Sequence, residues 1–86
     1  MTPAELRSRV IATLQSIAPE IEPADLRDEV PLRQQVDLDS MDWLHFLTGL
    51  HEDLQVDIPE ADYGRLVTLA DVLAYLRARL EQKSGG

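Results

Sequence analysis

The chain of 86 residues contains no cysteine, a single tryptophan and a single phenylalanine. Without cysteine it forms neither disulfides nor thiolate metal sites, so the packing of its secondary structure must hold the fold together. No apolar run reaches the roughly 20 residues that a transmembrane helix needs, and the start, Met1-Thr2-Pro3, does not resemble a signal peptide. We expect one small domain over residues 1–82, a flexible tail at 83–86, no membrane insertion and a cytoplasmic location.

Positive charge is also scarce. The chain has 8 lysine and arginine residues against 16 acids, a formal net charge of −8, which disfavours nucleic acid as a partner and favours basic protein surfaces. The acids either keep a solvated face soluble or mark a surface that partners bind, and their position around Ser40 favours the second interpretation. No lysine or arginine lies between Arg33 and Arg65, where eight acids occur: Asp37, Asp39, Asp42, Glu52, Asp53, Asp57, Glu60 and Asp62.

Apolar residues recur at three- and four-residue steps, which predicts helices. Capping-box patterns at Thr2 and Thr68 mark two helix starts. The long loop at 19–38 carries apolar residues that can anchor it, with one helical turn predicted at 24–27. No convincing strand pattern occurs, so we predict an all-α bundle of three long helices and one short third helix. The predicted helices cover about 3–18, 40–54, 59–64 and 69–82 of the chain.

The second predicted helix begins at a serine between two acids. Asp39 is a favourable N-cap, and Asp42 lies in the first turn, where the helix dipole favours negative charge. Ser40 therefore lies near backbone N–H groups without intrahelical partners, a suitable place for a serine that carries a phosphate. The helix is anchored to the core by four leucines, so the serine is held on a rigid element: Leu44, Leu47, Leu50 and Leu54.

The segment Leu38-Asp39-Ser40-Met41-Asp42 resembles the phosphopantetheine attachment motif of acyl carrier proteins. The resemblance covers nearly the whole chain, because the segments 57–60 (Asp-Ile-Pro-Glu) and 68–72 (Thr-Leu-Ala-Asp-Val) also match the family's pattern. It implies a four-helix acyl-carrier fold and a phosphoprotein whose Ser40 bears a covalent 4'-phosphopantetheine arm. It also implies a carrier rather than an enzyme, one that holds acyl groups as thioesters in a specialised fatty-acid, polyketide or related lipid pathway.

The resemblance implies roles for neighbouring side chains and for partners. Asp39 would help to hold the magnesium ion of a phosphopantetheinyl transferase, a metal that carboxylate oxygens suit. Acyl-transferring or acyl-activating enzymes with basic patches would bind the helix face beside Ser40. We expect the protein to be a monomer. The implied partner surface comprises Met41, Asp42, His45, Thr48 and Glu52.

Two features depart from the family's pattern. Histidines at 45 and 51 stand where acids are usual, which predicts a specialised set of partners. Trp43 stands where a small residue is usual, so we predict a reduced acyl pocket, bordered by Trp43, Phe46 and Leu50, and a short, unusual or exposed cargo. Gly49 is predicted to face away from the core, where it either lets a partner approach closely or is simply tolerated.

Competing chemistries fit the residues less well. His45 and His51 lie about 140° and 20° from Ser40 on a helical wheel, neither of them one turn away, so Ser40 lacks a general base. The two histidines occupy different faces, His45 exposed and His51 partly buried, which argues against a shared metal site. The acids around Ser40 lack calcium-loop spacing, because Asp42 replaces the required glycine. We predict no catalytic residue and no metal ligand.

Two alternatives stay open at this point. A peptidyl carrier usually has a glycine-rich lead-in to the serine, whereas here the residues at 36–39 are Val-Asp-Leu-Asp. An unmodified helical protein-interaction module would have the same apolar pattern without ever carrying an arm. Modification of Ser40 is the property that separates the carrier from this module.

Overall fold

The protein is described by a computed structural model, which covers the backbone of residues 1–85 and the side chains of residues 1–82. Residues 1–85 contain no strand, only an isolated bridge between Pro31 and Thr68, so the predicted all-α fold is confirmed. No helix within these residues is long and apolar enough to cross a membrane. The helices are α1 (Pro3–Ile17), α2 (Leu32–Gln35), α3 (Ser40–Leu54) and α4 (Leu69–Gly85), with 3₁₀ turns at Pro23–Asp25 and Glu60–Arg65.

Side-chain caps start the first and last helices at the predicted residues. The Glu5 N–H donates to Thr2 Oγ1 at 3.2 Å, and the Thr2 hydroxyl donates to the Glu5 carboxylate. At the start of α4 the capping box is reciprocal: the Asp71 N–H donates to Thr68 Oγ1 at 3.0 Å, and the Thr68 N–H donates to the Asp71 carboxylate at 3.1 Å. Local sequence therefore determines both starts.

The connection between α1 and α3 differs in detail from the prediction. Its first turn is a 3₁₀ turn at Pro23–Asp25, one residue before the predicted start, because Pro23 supplies a φ angle suited to opening it. The one-turn helix α2 was not predicted, since four residues are too few to show periodicity. The Leu32 N–H donates to the Val67 carbonyl at 2.9 Å, which ties the loop to the segment before α4. Four apolar side chains of the loop are buried: Ile21, Leu32, Val36 and Leu38.

The predicted short third helix is a 3₁₀ turn, Glu60–Arg65, that follows Pro59. Its hydrogen bonds span three residues, as in the Leu66 N–H to Tyr63 carbonyl bond of 3.1 Å. None of its six residues is fully buried. Polar side chains hold it instead, because Asp62 accepts hydrogen bonds from the Tyr75 hydroxyl at 2.6 Å and from Arg79 at 3.0 Å.

The core lies between α1, α3 and α4. At the α1–α3 contact a β-carbon on Gly49 would stand 2.8 Å from Thr13 Cγ2, closer than a normal packing contact. Gly49 therefore faces α1, and the prediction that it faces away from the core is wrong. The largest fully buried side chains are Phe46, Leu6, Leu14, Leu32, Leu47, Leu50, Leu69, Leu76, Val10 and Val72.

Two further predictions about α3 are corrected. Leu44, predicted as a core anchor, is 43% exposed, because it lies at the edge of the apolar arc, about 60° from Leu47 on the wheel. His51, predicted as partly buried, is an exposed residue. It lies near the end of α3, where its Nδ1 is 2.8 Å from the Val56 carbonyl oxygen.

The C-terminal end of the chain lies partly outside the described residues. The backbone of α4 is helical to Gly85, so it extends into the segment 83–86. The side chains of 83–85 and all of residue 86 lie outside the described part. The flexible tail and the domain boundary at residue 82 stay predictions.

Candidate functional site

Ser40 is the first residue of α3 and is exposed. Asp39 before it is the N-cap, and its Oδ1 accepts a hydrogen bond from the Asp42 N–H at 2.8 Å. The Asp39 carbonyl accepts from the Trp43 N–H at 3.0 Å. These two bonds hold the start of α3 in one conformation, so the Ser40 hydroxyl lies at a defined point on the surface.

The surroundings of Ser40 fit a phosphodiester on its hydroxyl. The hydroxyl is open to solvent, and the first residues of a helix present backbone N–H groups and a positive dipole end to a bound anion. The Asp42 N–H already donates to the Asp39 side chain. The N–H groups of Ser40 and Met41 are therefore the ones in the first turn that lack an acceptor within the helix. The Ser40 hydroxyl is therefore accessible and lies beside a carboxylate.

The buried face of α3 makes this start rigid. Trp43 is 8% exposed, and its ring centroid lies 5.3 Å from that of Phe46, with the planes tilted by 42°. Phe46 and Leu50 are completely buried. Tilted aromatic pairs at this distance stabilise a core beyond the burial of their surface. Trp43 is thus a core residue one turn below Ser40.

The predicted partner surface lies on the outer side of α3. Met41, His45, Thr48 and Glu52 are exposed, whereas Asp42 is half-buried at the edge of that face. Met41 is 60% exposed, a large value for an apolar side chain. Leu44 is also exposed on this side of α3, although its leucine character and spacing suggested the core.

The predicted acyl pocket is not an open cavity. Trp43 borders a surface cleft of about 210 Å³, whose other lining residues are Pro31, Arg33, Tyr63, Gly64, Leu66 and Val67. A second cleft of about 230 Å³ lies between α3 and the 3₁₀ turn and is lined in part by Leu47, His51 and Tyr63. Phe46 and Leu50 lie behind these surfaces in the closed core. An acyl chain reaches them only if side chains or the 3₁₀ turn move.

The histidines and acids do not converge. Within the described residues no group of three or more histidine, aspartate or glutamate side chains could hold a metal ion. The Nδ1 of His51 is directed to the Val56 carbonyl at the far end of α3. Two of the acids that surround Ser40 in sequence contact other helices, Asp53 through Arg9 and Asp62 through Arg79.

Comparison with known proteins identifies the family. The family model for the phosphopantetheine attachment site matches residues 8–76. The meromycolate extension acyl carrier protein of Mycolicibacterium smegmatis is 30% identical over 84 residues, which cover 94% of this chain and 84% of that protein. The protein of the same name from Mycolicibacterium aurum is also 30% identical over 84 residues, with 94% and 86% of the two chains covered.

These matches confirm the resemblance that the motif around Ser40 indicated. The family's members bear a covalent 4'-phosphopantetheine and interact with phosphopantetheinyl transferases and with acyl-handling enzymes. They are carriers and not catalysts, so the predicted absence of enzyme activity follows from family membership. The chain belongs to the acyl carrier protein family and functions as a carrier with a phosphopantetheine attachment domain.

Proposed function

We propose that Ser40 is the residue that carries the phosphopantetheine arm. The observation that carries this proposal is the exposed hydroxyl at the first residue of α3, directly after the Asp39 cap. In the loading reaction the Ser40 oxygen forms a bond to the phosphorus that coenzyme A donates and gives up its proton, and adenosine 3',5'-bisphosphate leaves. When bound, the arm supplies a terminal thiol that holds an acyl group as a thioester.

Asp39 has two roles in this proposal. Its Oδ1 accepts from the Asp42 N–H at 2.8 Å, which fixes the carboxylate beside Ser40. Its other oxygen accepts no hydrogen bond from the side chains and backbone that the structure describes, so it is available to the magnesium ion of the transferase. The cap therefore positions both the serine and a metal ligand.

We extend this proposal to the partner enzymes and to the pathway. The acids close to Ser40 suit basic patches on enzymes that load or transfer acyl groups, and the face formed by Met41, Asp42, His45, Thr48 and Glu52 contacts them. The two relatives are meromycolate extension acyl carrier proteins, which favours acyl-chain extension in a specialised lipid pathway for this chain as well. We place the carrier in the cytoplasm as a monomer.

Cargo protection depends on the small volume beside Trp43. Because Phe46 and Leu50 are sealed in the core, a short acyl group fits the surface cleft, whereas a long chain must open the core or remain exposed. Trp43, Phe46 and Leu50 would line the space only after such an opening. The carrier thus suits short cargo or cargo that stays in solvent.

Incubation with coenzyme A and a broad-specificity phosphopantetheinyl transferase, followed by intact-mass measurement, tests the attachment site. We expect a phosphopantetheine-sized increment in the native protein and in Ser8→Ala, a matched change at an exposed serine of α1. The increment should be absent in Ser40→Ala, and peptide mapping should locate it on the peptide that contains Ser40. A native protein that takes no arm would point to an unmodified interaction module instead.

A further inference from the structure

Arg33 is an exposed arginine of α2 that forms no ion pair with the described side chains. It is also the last cation of the chain before Arg65, in a segment rich in acids. Four other arginines each have a carboxylate oxygen within 4.0 Å of a guanidinium nitrogen: Arg7, Arg9, Arg65 and Arg79. The positive charge of Arg33 is therefore available to an anion that binds from outside the folded domain.

The guanidinium of Arg33 lies beside the start of α3. Its Nε donates to the Leu38 carbonyl at 3.4 Å. Leu38 precedes Ser40 by two residues, so their α-carbons are at most about 7 Å apart. The backbone at this point is fixed, because the neighbouring Leu32 is completely buried and its N–H donates to the Val67 carbonyl at 2.9 Å. The terminal nitrogens of Arg33 donate to no other group in the described part of the chain, so they remain free as donors.

The same guanidinium lines the cleft of about 210 Å³ beside Trp43. Arg33 is the one charged residue among those that line this cleft, and the others are uncharged. Trp43 follows Ser40 by three residues and lies about 60° from it on the helical wheel, so the cleft opens on the side of α3 next to Ser40. The cleft thus joins an unpaired positive charge to an uncharged wall close to the proposed attachment point.

We propose that Arg33 is the counter-ion of the phosphodiester that joins the arm to Ser40. The terminal nitrogens of its guanidinium donate to the two non-bridging phosphate oxygens, a forked contact that arginine makes and lysine does not. The free N–H groups of Ser40 and Met41 donate to the same phosphate from the start of α3. The pairing directs the dimethyl-bearing part of the arm, which follows the phosphate, into the cleft at Trp43. The inference rests on the proposed function, because the phosphate is present only when Ser40 carries the arm.

The test compares the apo protein with the holo protein by NMR. Loading with a free-thiol arm adds the phosphodiester and no other anion. We expect the Arg33 Nε–H resonance to shift on loading, and nuclear Overhauser effects to appear between the two methyl groups of the arm and the indole of Trp43, the single tryptophan of the chain. These effects should fall several-fold in Arg33→Gln and be partly retained in Arg33→Lys, which keeps the charge without the fork. They should also weaken in the native protein at an ionic strength of about 1 M, where charges are screened beyond about 3 Å.

Arg27→Gln is the matched control, because it removes the same charge from an exposed arginine of the same loop and should leave the methyl–indole effects unchanged. Every variant is first checked by intact mass and by thermal unfolding, so that a loss of folding is not taken for a loss of the pairing. A native protein that takes no arm overturns the proposed function and the pairing with it.

Two outcomes overturn the pairing alone and leave the attachment site intact. One is a fully loaded native protein in which the Arg33 Nε–H does not shift, including the case in which the shift appears only after a carboxylate-bearing acyl group such as malonyl is added to the thiol. The other is a loss of the methyl–indole effects in Arg27→Gln as large as that in Arg33→Gln, which would show that only the total charge matters.

Discussion

A β-carbon at Gly49 of α3 would stand 2.8 Å from the Cγ2 methyl of Thr13 on α1. Real β-carbons essentially never approach another atom so closely, so the glycine allows the two helices to meet at this point. The Thr13 hydroxyl donates to the Arg9 carbonyl at 3.0 Å, a bond that favours the rotamer with the methyl towards Gly49. The glycine is therefore required by packing between helices and not by backbone conformation.

The first prediction concerns this contact. Gly49→Ala gains about 1 kcal/mol of helix propensity but overpacks the α1–α3 contact, which costs about 1–3 kcal/mol. We expect a net loss of about 1 kcal/mol in the free energy of unfolding, measured by chemical denaturation. In a Thr13→Ala background the methyl is gone, and Gly49→Ala should become stabilising. A stabilising Gly49→Ala in the native background would contradict the close approach.

Asp39 offers a second prediction, which separates its two proposed roles. Asp39→Ala removes the cap on the Asp42 N–H and should cost about 1 kcal/mol of stability. Asp39→Asn keeps a side-chain oxygen for the cap but removes the negative charge that a magnesium ion needs. We expect both variants to take the arm slowly, and only Asp39→Ala to be destabilised. Normal loading rates in Asp39→Asn would exclude the proposed metal contact.

A third prediction follows from the cluster around Asp62. The hydrogen bond from the Tyr75 hydroxyl lowers the pKa of Asp62, and the positive charges of Arg79 and Arg65 add to this effect, against partial desolvation that raises it. A depressed pKa in the folded state means that the carboxylate stabilises the fold above the ordinary pKa of an aspartate, about 3.9. The contribution disappears as the pH falls through the folded pKa.

The stability gap between native protein and Asp62→Asn should therefore be widest near neutral pH and narrow below about pH 4. Unfolding by urea at a series of pH values measures it. Tyr75→Phe keeps the ring beside Arg79 and removes the donor, so the pKa of Asp62, followed by NMR of the carboxyl carbon, should rise. An unchanged titration of Asp62 in Tyr75→Phe would show that the hydrogen bond is not the main cause.

The fourth prediction concerns Trp43 and the space available for the acyl chain. If the closed core limits the space for cargo, hydrolysis of the thioester should not slow as the acyl chain lengthens in the native protein. Trp43→Leu removes the larger ring while keeping an apolar side chain, and it should introduce protection of longer chains at some cost in stability. The measurement is thioester lifetime against chain length. Strong protection of long chains by the native protein would refute the reduced pocket.

The helix starts and the candidate serine could be predicted because their causes are local. Each cap joins residues three positions apart, as in the Asp42 N–H bond to Asp39, so a short stretch of sequence contains the whole interaction. The extent of α3 and the position of Ser40 at its first residue follow from that cap and from the apolar periodicity. The 3₁₀ conformation of Glu60–Arg65 could not be predicted in this way, because so short an element leaves no periodic pattern.

The outward position of Leu44 and the inward position of Gly49 were decided by the tertiary structure. A helical wheel gives the angle of each side chain about its own axis but does not show which neighbouring element covers that angle. The tertiary structure also decided the long-range polar contacts. Arg9 donates to Asp53, and the Tyr75 hydroxyl donates to Asp62, across separations of 44 and 13 residues. The sequence alone thus determined where the candidate serine lies, while the packing of α1 against α3 decided which face of that helix is open to solvent.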